Sequence, residues 1–497
     1  MSISYQYAIS LFSLLFIISC TTPTEKLTTS VIIPKVTTAS KGQNEISLSK
    51  EWVTVAPEVS DRLLETLAQQ LADLDIEISK NNEGSGNLFL NLDKSLNAES
   101  YRLQVSDKQI EITGGSEAGV FYAWQSLRQL LYNHLWSGED WVSIEITDQS
   151  KYAYRGYMLD ISRHFFGVET IKSVIDQISL YKINHLHLHL SDDQGWRIEI
   201  KSWPELTAIG SSTEVGGGEG GFLTQEDYKE IQRYAQSHFI TVVPEIDMPG
   251  HTNSALASYA ELNCNDKTTE LYTGIEVGFS TLCAEKEITY TFLSDVFTEL
   301  AQLTEGPYIH IGGDESHVTS DEDYIKLVNY ALEKVISLGK TPIGWDEIAN
   351  ANLDDRGISQ YWASSENTSL AGSKKASVII SPAAHAYLDM QYDSLTPLGL
   401  HWAGYLPVKK SFDWNPETLV EDLDPEQIIG IEAPLWSETL ESLEDIEYMT
   451  FPRLPGLAEI AWSTTEKRTW ETYKAVLERH LQWLEKKEIN TYKTLDE

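Results

Sequence analysis

From residue 152 onward, short apolar runs with strand character alternate with stretches of helical periodicity, and this alternation restricts the fold more than any other feature. The runs are 154–161, 185–190, 240–246, 308–311, 342–345, 359–362, 378–381 and 428–432. Between several of them the chain reads as amphipathic helix. Thr224 and Asp227 have the spacing of a capping box, and Tyr228, Ile231 and Ala235 follow on one face. Tyr324, Leu327, Val328, Leu332 and Val335 make another such face. Eight strand–helix units predict an α/β fold, a (β/α)8 TIM barrel over residues 150–497. A doubly wound open sheet is the alternative, but no Gly-rich phosphate loop opens any of the helices. Trp470, Tyr473, Leu477, Leu481 and Leu484 form a last helical stripe able to cover the barrel.

The preceding residues divide into three. Residues 46–149 read as a small α+β domain, with a helix capped by Ser60 and running to about 74, and strands at 88–92, 101–105 and 109–113. A second helix carries Val120, Trp124, Leu127 and Leu131 on one stripe. Nothing in this domain combines acid, base and nucleophile, so it reads as a support. Residues 21–45 are rich in Thr, Ser and Lys without periodicity and read as a tether. Residues 1–20 carry an apolar run, 11–19, too short to span a bilayer and ending Ile17-Ile18-Ser19-Cys20. This resembles the signal peptide and lipobox of a bacterial lipoprotein, with Cys20 as the lipidated residue. No Lys or Arg precedes the run, which departs from a basic n-region, and a plain secretory signal or uncleaved anchor is the alternative. The expected location is exported, in the bacterial outer membrane or periplasm, with the membrane touched only through that anchor. In an exported chain the remaining cysteines, Cys264 and Cys283, suggest a disulfide.

Acidic residues outnumber basic ones 75 to 37, a net charge of −38, which excludes a nucleic-acid partner because no basic footprint exists to neutralise phosphates. The 14 tryptophans are many; most serve packing, but the indole face is also a good wall for a sugar ring.

In a barrel, catalytic groups gather where the strands end. The fourth run, Tyr308-Ile309-His310-Ile311, breaks at Gly312-Gly313 and delivers Asp314 and Glu315 side by side. Neighbouring charge and partial burial would raise the pKa of one and keep it protonated, as acid–base chemistry needs. The other ends bring Ser162-Arg163-His164, Asp192-Asp193, Asp247 with His251, Trp345-Asp346-Glu347, Tyr361-Trp362, then His385, Tyr387 and Asp389, and lastly Trp436-Ser437-Glu438. Carboxylates and Arg grip hydroxyls while indoles cover C–H faces, so the set reads as a sugar pocket.

Asp160-Ile161-Ser162-Arg163-His164-Phe165, the run from His187 through Asp192-Asp193-Gln194-Gly195-Trp196-Arg197, Pro244-Glu245-Ile246-Asp247-Met248-Pro249-Gly250-His251, Gly312-Gly313-Asp314-Glu315-Ser316 and Trp436-Ser437-Glu438 together resemble glycoside hydrolase family 20, the β-N-acetylhexosaminidases. The likeness spans residues 46–497. It implies a retaining, exo-acting hydrolase that takes terminal GlcNAc or GalNAc from β-linked oligosaccharides, with no cofactor and no metal. It also implies substrate assistance, in which the 2-acetamido oxygen attacks the anomeric carbon, an exception to the two-carboxylate scheme. Two adjacent residues agree with this, since they do not readily flank both faces of one sugar. By motif, Glu315 is the general acid and base, Asp314 holds the acetamide N–H, and Tyr387 binds the acetamide carbonyl. Trp345, Trp362 and Trp436 wall the pocket, Arg163, Asp389 and Glu438 bind ring hydroxyls, and His251 with Asp192 tunes Glu315. The Cys264–Cys283 loop is expected to brace the wall beside His251.

Three further features have their own readings. His185, His187 and His189 share one strand face and could bind zinc, but a hydrogen-bonded polar barrel interior is the favoured reading. The five glycines within 215–222 read as a mobile lid or rim loop. Segment 390–427, with Trp402 and Trp414, is expected to shape the subsite beyond the cleaved bond. No feature sets an oligomeric state.

Overall fold

The computed structural model describes residues 31–81, 85–463 and 468–495, so Cys20 and the proposed signal lie outside the described residues. The N-terminal domain is a seven-stranded sheet: β1 (Thr38–Glu45), β2 (Glu51–Val55), β3 (Glu77–Lys80), β4 (Leu88–Leu92), β5 (Tyr101–Val105), β6 (Ile110–Gly114) and β7 (Val142–Asp148). Its order is β1-β7-β5-β6-β4-β2-β3. β5 and β6 alternate buried and outward residues, the mark of a sheet covered on one face.

The tether predicted over 21–45 does not hold from residue 31 onward, residues 21–30 lying outside the described residues. Thr38–Glu45 pairs antiparallel with β7 as an edge strand, and Ile32, Ile33 and Val36 are buried. Its sequence, TASKGQNE, carries no hydrophobic alternation to mark a strand. The Ser60 helix is also shorter than expected: Ser60 caps Asp61–Gln69, and a separate 3₁₀ turn, Ala72–Leu74, follows.

The helix Glu117–Ser137 is buried almost all round between residues 119 and 133. A helix buried on every face is sandwiched rather than amphipathic, and this one joins sheet to barrel. Gln129 donates to the carbonyls of Ile33 and Leu180 and accepts from the Ile33 N–H. Charges sealed between the domains are paired, as burial requires. Arg155 meets Glu99 at 2.8 Å, and Lys182 meets Asp148 at 3.2 Å. Trp462 donates its indole N–H to the same Asp148.

The second domain is the closed barrel: β8 (Tyr154–Asp160), β9 (His185–His189), β10 (Thr241–Glu245), β11 (Tyr308–His310), β12 (Thr341–Trp345), β13 (Ile358–Tyr361), β14 (Ser377–Ile380) and β15 (Ile428–Leu435). Every pairing is parallel, and β15 returns to pair with β8 from Gly430–Tyr154 to Leu435–Leu159. That closure excludes the open sheet. The interior is layered. Tyr154, Val243, Ile343, Ile358 and Ile379 form an apolar floor. His187, Glu245, His310, Gln360 and Glu432, all with no exposure, form a polar middle. Met158, Trp345, Tyr387, Met390 and Trp436 form an upper layer at the C-terminal ends of the strands. The terminal helix Trp470–Lys486 reaches both domains, since Trp483 donates to Ser137 and Tyr473 stacks on Phe412 at 4.1 Å.

Candidate active site

The acid pair stands where β11 breaks. Gly312 and Gly313 have φ of 66° and 105°, and a Cβ on Gly312 would lie 1.7 Å from Asp247 Oδ1. Only glycine allows that turn and that approach. The turn is pinned three ways: Gly313 N–H donates to Asp247 Oδ1 at 2.9 Å, Tyr324 O–H to the Gly313 carbonyl at 2.6 Å, and Trp345 N–H to the Gly312 carbonyl at 2.9 Å. Glu315 and His251 themselves sit at φ of 43° and 53°. Non-glycine residues hold such angles only where their surroundings over-determine them.

His251 joins the pair to the rest of the site. Its Nδ1 lies 3.2 Å from Asp192 Oδ1, and its Nε2 lies 3.7 Å from both Asp314 Oδ2 and Glu315 Oε2. It therefore serves both acids rather than Glu315 alone. Burial opposes the imidazolium, but the charges of Asp192 and Asp314 outweigh it and hold the pKa well above the ordinary value. Burial raises the Glu315 pKa, and the Asp314 charge raises it further. Asp192 Oδ2 also pairs with Arg163 Nη2 at 2.8 Å, and the guanidinium lies 4.8 Å from the Trp436 ring centre.

The aromatic groups form a continuous wall. Trp345 and Trp436 are 5.7 Å apart, Trp436 and Tyr387 6.3 Å, and Tyr387 and Trp362 6.3 Å and nearly parallel. Asp389 and Glu438 close the end near Arg163. Burial, then the charge of Glu438, drives the Asp389 pKa well up, and burial raises that of Glu438.

Several buried polar atoms in this cluster find no protein partner: both oxygens of Asp389, Asp314 Oδ1 and Arg163 Nε. Buried polar atoms are normally hydrogen-bonded. Such atoms beside the indoles suit a polar ligand with an apolar face. Over residues 152–465 the chain matches the description "Glycosyl hydrolase family 20, catalytic domain", and over 29–149 "Glycosyl hydrolase family 20, domain 2".

The chain belongs to glycosyl hydrolase family 20. It is 42% identical to a β-N-acetylhexosaminidase of Cellulomonas fimi, covering 79% of this chain and 80% of that protein. It is 34% identical to a β-hexosaminidase of Porphyromonas gingivalis, covering 94% of this chain and 64% of that longer relative. Among solved structures, the N-acetyl-β-hexosaminidase of Streptomyces plicatus in complex with Thio-NAglucal superposes with a TM-score of 0.89 at 42% identity, covering 93% of this chain and 96% of that one.

Other residues of this family 20 chain take places the sequence did not disclose. Glu347 accepts from the Trp362 indole N–H at 3.0 Å, and Asp346 accepts the backbone N–H groups of Trp362, Ala363 and Ser364. Burial, with the charges of Asp346 and Asp314, pushes Glu347 up to about 8. Asp247 is buried beside Asp314, whose charge adds to burial in raising its pKa well above the ordinary value. The signal for Asp247 was its place two residues after Glu245 at an inward-facing strand end.

The three β9 histidines are stitched into the barrel interior. His187 lies between Glu245 and Glu432, at 3.0 and 2.9 Å. His189 lies between Glu245 and Asp192. His185 stacks on Tyr154 at 4.0 Å, and burial pushes it down to about 3. His187 and His189 share Glu245 Oε2, while His185 stands apart on Tyr154, so the three do not act as one array.

One expectation changes. His385 and Trp414 stack on each other at 5.8 Å, with Trp414 buried and bonded to the Ser411 carbonyl. Trp414 is thus packing, while Trp402, 55% exposed, stands 5.9 Å from both Trp362 and Tyr387 at the mouth. The 215–222 loop is a stapled rim. Arg197 donates to the Ser211, Thr213 and Gly221 carbonyls, and Gly216 N–H to the Thr273 carbonyl. The latter contact joins it to the loop closed by the Cys264–Cys283 disulfide. That loop also holds the His251 side, since Ser280 Oγ accepts from the Thr252 N–H and donates to Asp193.

Proposed function

We propose that this enzyme removes single terminal GlcNAc or GalNAc units from β-linked chito-oligosaccharides or glycans, with retention and through an oxazolinium intermediate formed by the substrate's own acetamide. One observation carries the reading. Asp314 and Glu315 leave the same turn and approach the same imidazole nitrogen at 3.7 Å, so they address one side of a bound sugar. An acid and a protein nucleophile must stand on opposite faces of the ring. With the attacking oxygen inside the substrate, one proton donor and one positioning carboxylate suffice.

Glu315, its pKa raised, protonates the leaving oxygen and then deprotonates the incoming water. Asp314 Oδ1, buried without a protein partner, takes the acetamide N–H and stabilises the positive charge as it develops. Tyr387 donates to the acetamide oxygen. Trp345, Trp362 and Trp436 enclose the acetamido sugar. Arg163, Asp389 and Glu438 bind the hydroxyls of the last unit and leave no room for another, which makes the action exo. Trp402 serves the leaving group.

Side-by-side assays on aryl β-GlcNAc, β-GalNAc and β-glucoside test this. We expect turnover of the first two and none of the third, which lacks the acetamide; equal rates on the glucoside would refute it. We also propose that Cys20 carries a lipid anchor. Cys20→Ser is expected to move the protein from the membrane fraction to the soluble one, and unchanged partitioning would count against lipidation.

A further inference from the structure

Glu245 ends β10 directly beneath the pocket and has no solvent exposure. Its carboxylate lies close to four nitrogens carried on three other strands; His189 Nδ1 and the Trp345 indole hydrogen-bond to it, while His310 Nδ1 also accepts from the Gly312 N–H. Oε2 meets His187 Nε2 at 3.0 Å and His189 Nδ1. Oε1 meets His310 Nδ1 at 2.9 Å and the Trp345 indole N–H at 2.9 Å. His187 and His189 each turn the other nitrogen to a second carboxylate. For His187 this is Glu432, at 2.9 Å, itself bonded by Tyr154 and Gln360. For His189 it is Asp192, also at 2.9 Å. Asp192 in turn holds Arg163 and His251.

One buried carboxylate therefore supports two sides of the site. We propose that Glu245 is a positioning residue for the hydrolysis: it fixes the Trp345 wall directly and, through His189 and Asp192, sets the orientation and charge of Arg163 and His251. The proposal rests on the reading of the site as an acetamido-sugar hydrolase. An imidazole between two carboxylates satisfies both only when both its nitrogens carry protons. The surroundings agree. Burial opposes charge on all three groups, but the facing carboxylates hold His187 up at about 9 and His189 well up. The imidazoles hold Glu245 well down. Other charged neighbours are Asp247, two residues further on, Asp160, which faces His189, and Arg163, whose Nη1 lies 3.4 Å from His189 Nε2 and opposes its charge.

Glu245→Gln separates this role from simple space-filling. An amide has one acceptor oxygen and a donor NH2, so it cannot accept on both sides as the carboxylate does. If the oxygen keeps the Trp345 indole, the NH2 faces His187 and His189, and each must lose a proton to accept from it. Carboxylate plus two imidazolium ions, net +1, then becomes net zero. With a positive charge lost beside Asp192, the carboxyls of the site bind protons more tightly, and both limbs of the pH profile move to higher pH.

The test uses the full chain with 4-nitrophenyl β-GlcNAc. We expect Glu245→Gln to lower kcat/KM at least about 10²-fold, with both limbs displaced upward, while circular dichroism shows the fold retained. A folded variant with the wild-type kcat/KM and unmoved limbs would overturn the proposal. Nitrogen-15 NMR of histidine-labelled wild type provides a test that needs neither turnover nor a stable variant. Two imidazoles doubly protonated near pH 8, absent from His187→Gln and His189→Gln respectively, are expected; neutral rings at both positions would overturn it. Wild type unable to cleave any aryl β-GlcNAc would defeat the reading of the reaction, and the NMR result would still judge Glu245.

Discussion

Glu315→Gln is expected to lower kcat/KM on oligosaccharides by about 10²–10⁴-fold, the usual worth of a general acid, and on aryl glycosides with very good leaving groups by far less. The amide keeps the shape of the carboxyl but has no proton to give, so the loss scales with how much the departing oxygen needs one. The pH profile carries a second signature. The Glu315 pKa is raised by burial and by Asp314, so the protonated, competent form persists to higher pH than for an ordinary glutamate. The wild-type kcat/KM falls as pH rises through that pKa, and the variant lacks this alkaline limb. Equal losses on good and poor leaving groups, with the limb intact, would assign the proton to another residue.

The second large effect falls on Asp314. Asp314→Asn is expected to reduce kcat about 10²–10³-fold, comparable to removing one preorganised partner of developing charge, with a smaller change in KM. Asparagine still fills the space beside His251 but brings no negative charge to the forming oxazolinium. A rise in KM with kcat unchanged would mean that Asp314 only binds the ground state. The variant should also bind a thiazoline mimic of the cyclised sugar more weakly than wild type does, because the charge complement is gone.

The extent to which the site was legible follows from how it is built. Barrel strands are buried on both faces and read as apolar runs, so all eight were recognisable within a residue or two at most ends, and every strand end could be inspected for chemistry. Asp314 and Glu315 stood out because two glycines and two acids follow a strand. β1 did not, because an edge strand with polar side chains has no hydrophobic period. Trp402 and Trp414 looked alike in one segment; only packing sent one to the mouth and the other against His385.

The amino-acid order alone determined the barrel, the adjacency of the two acids and the stock of indoles, because these follow from local periodicity, turn chemistry and residue type. The tertiary structure decided which groups share a charge. That one imidazole nitrogen faces both Asp314 and Glu315, that Glu347 grips the Trp362 indole, and that Glu245 gathers nitrogens from β9, β11 and β12 are contacts across strands distant in sequence. Proton affinity depends on burial and on charges a few ångströms away, and neither distance nor burial exists until the ring of strands closes.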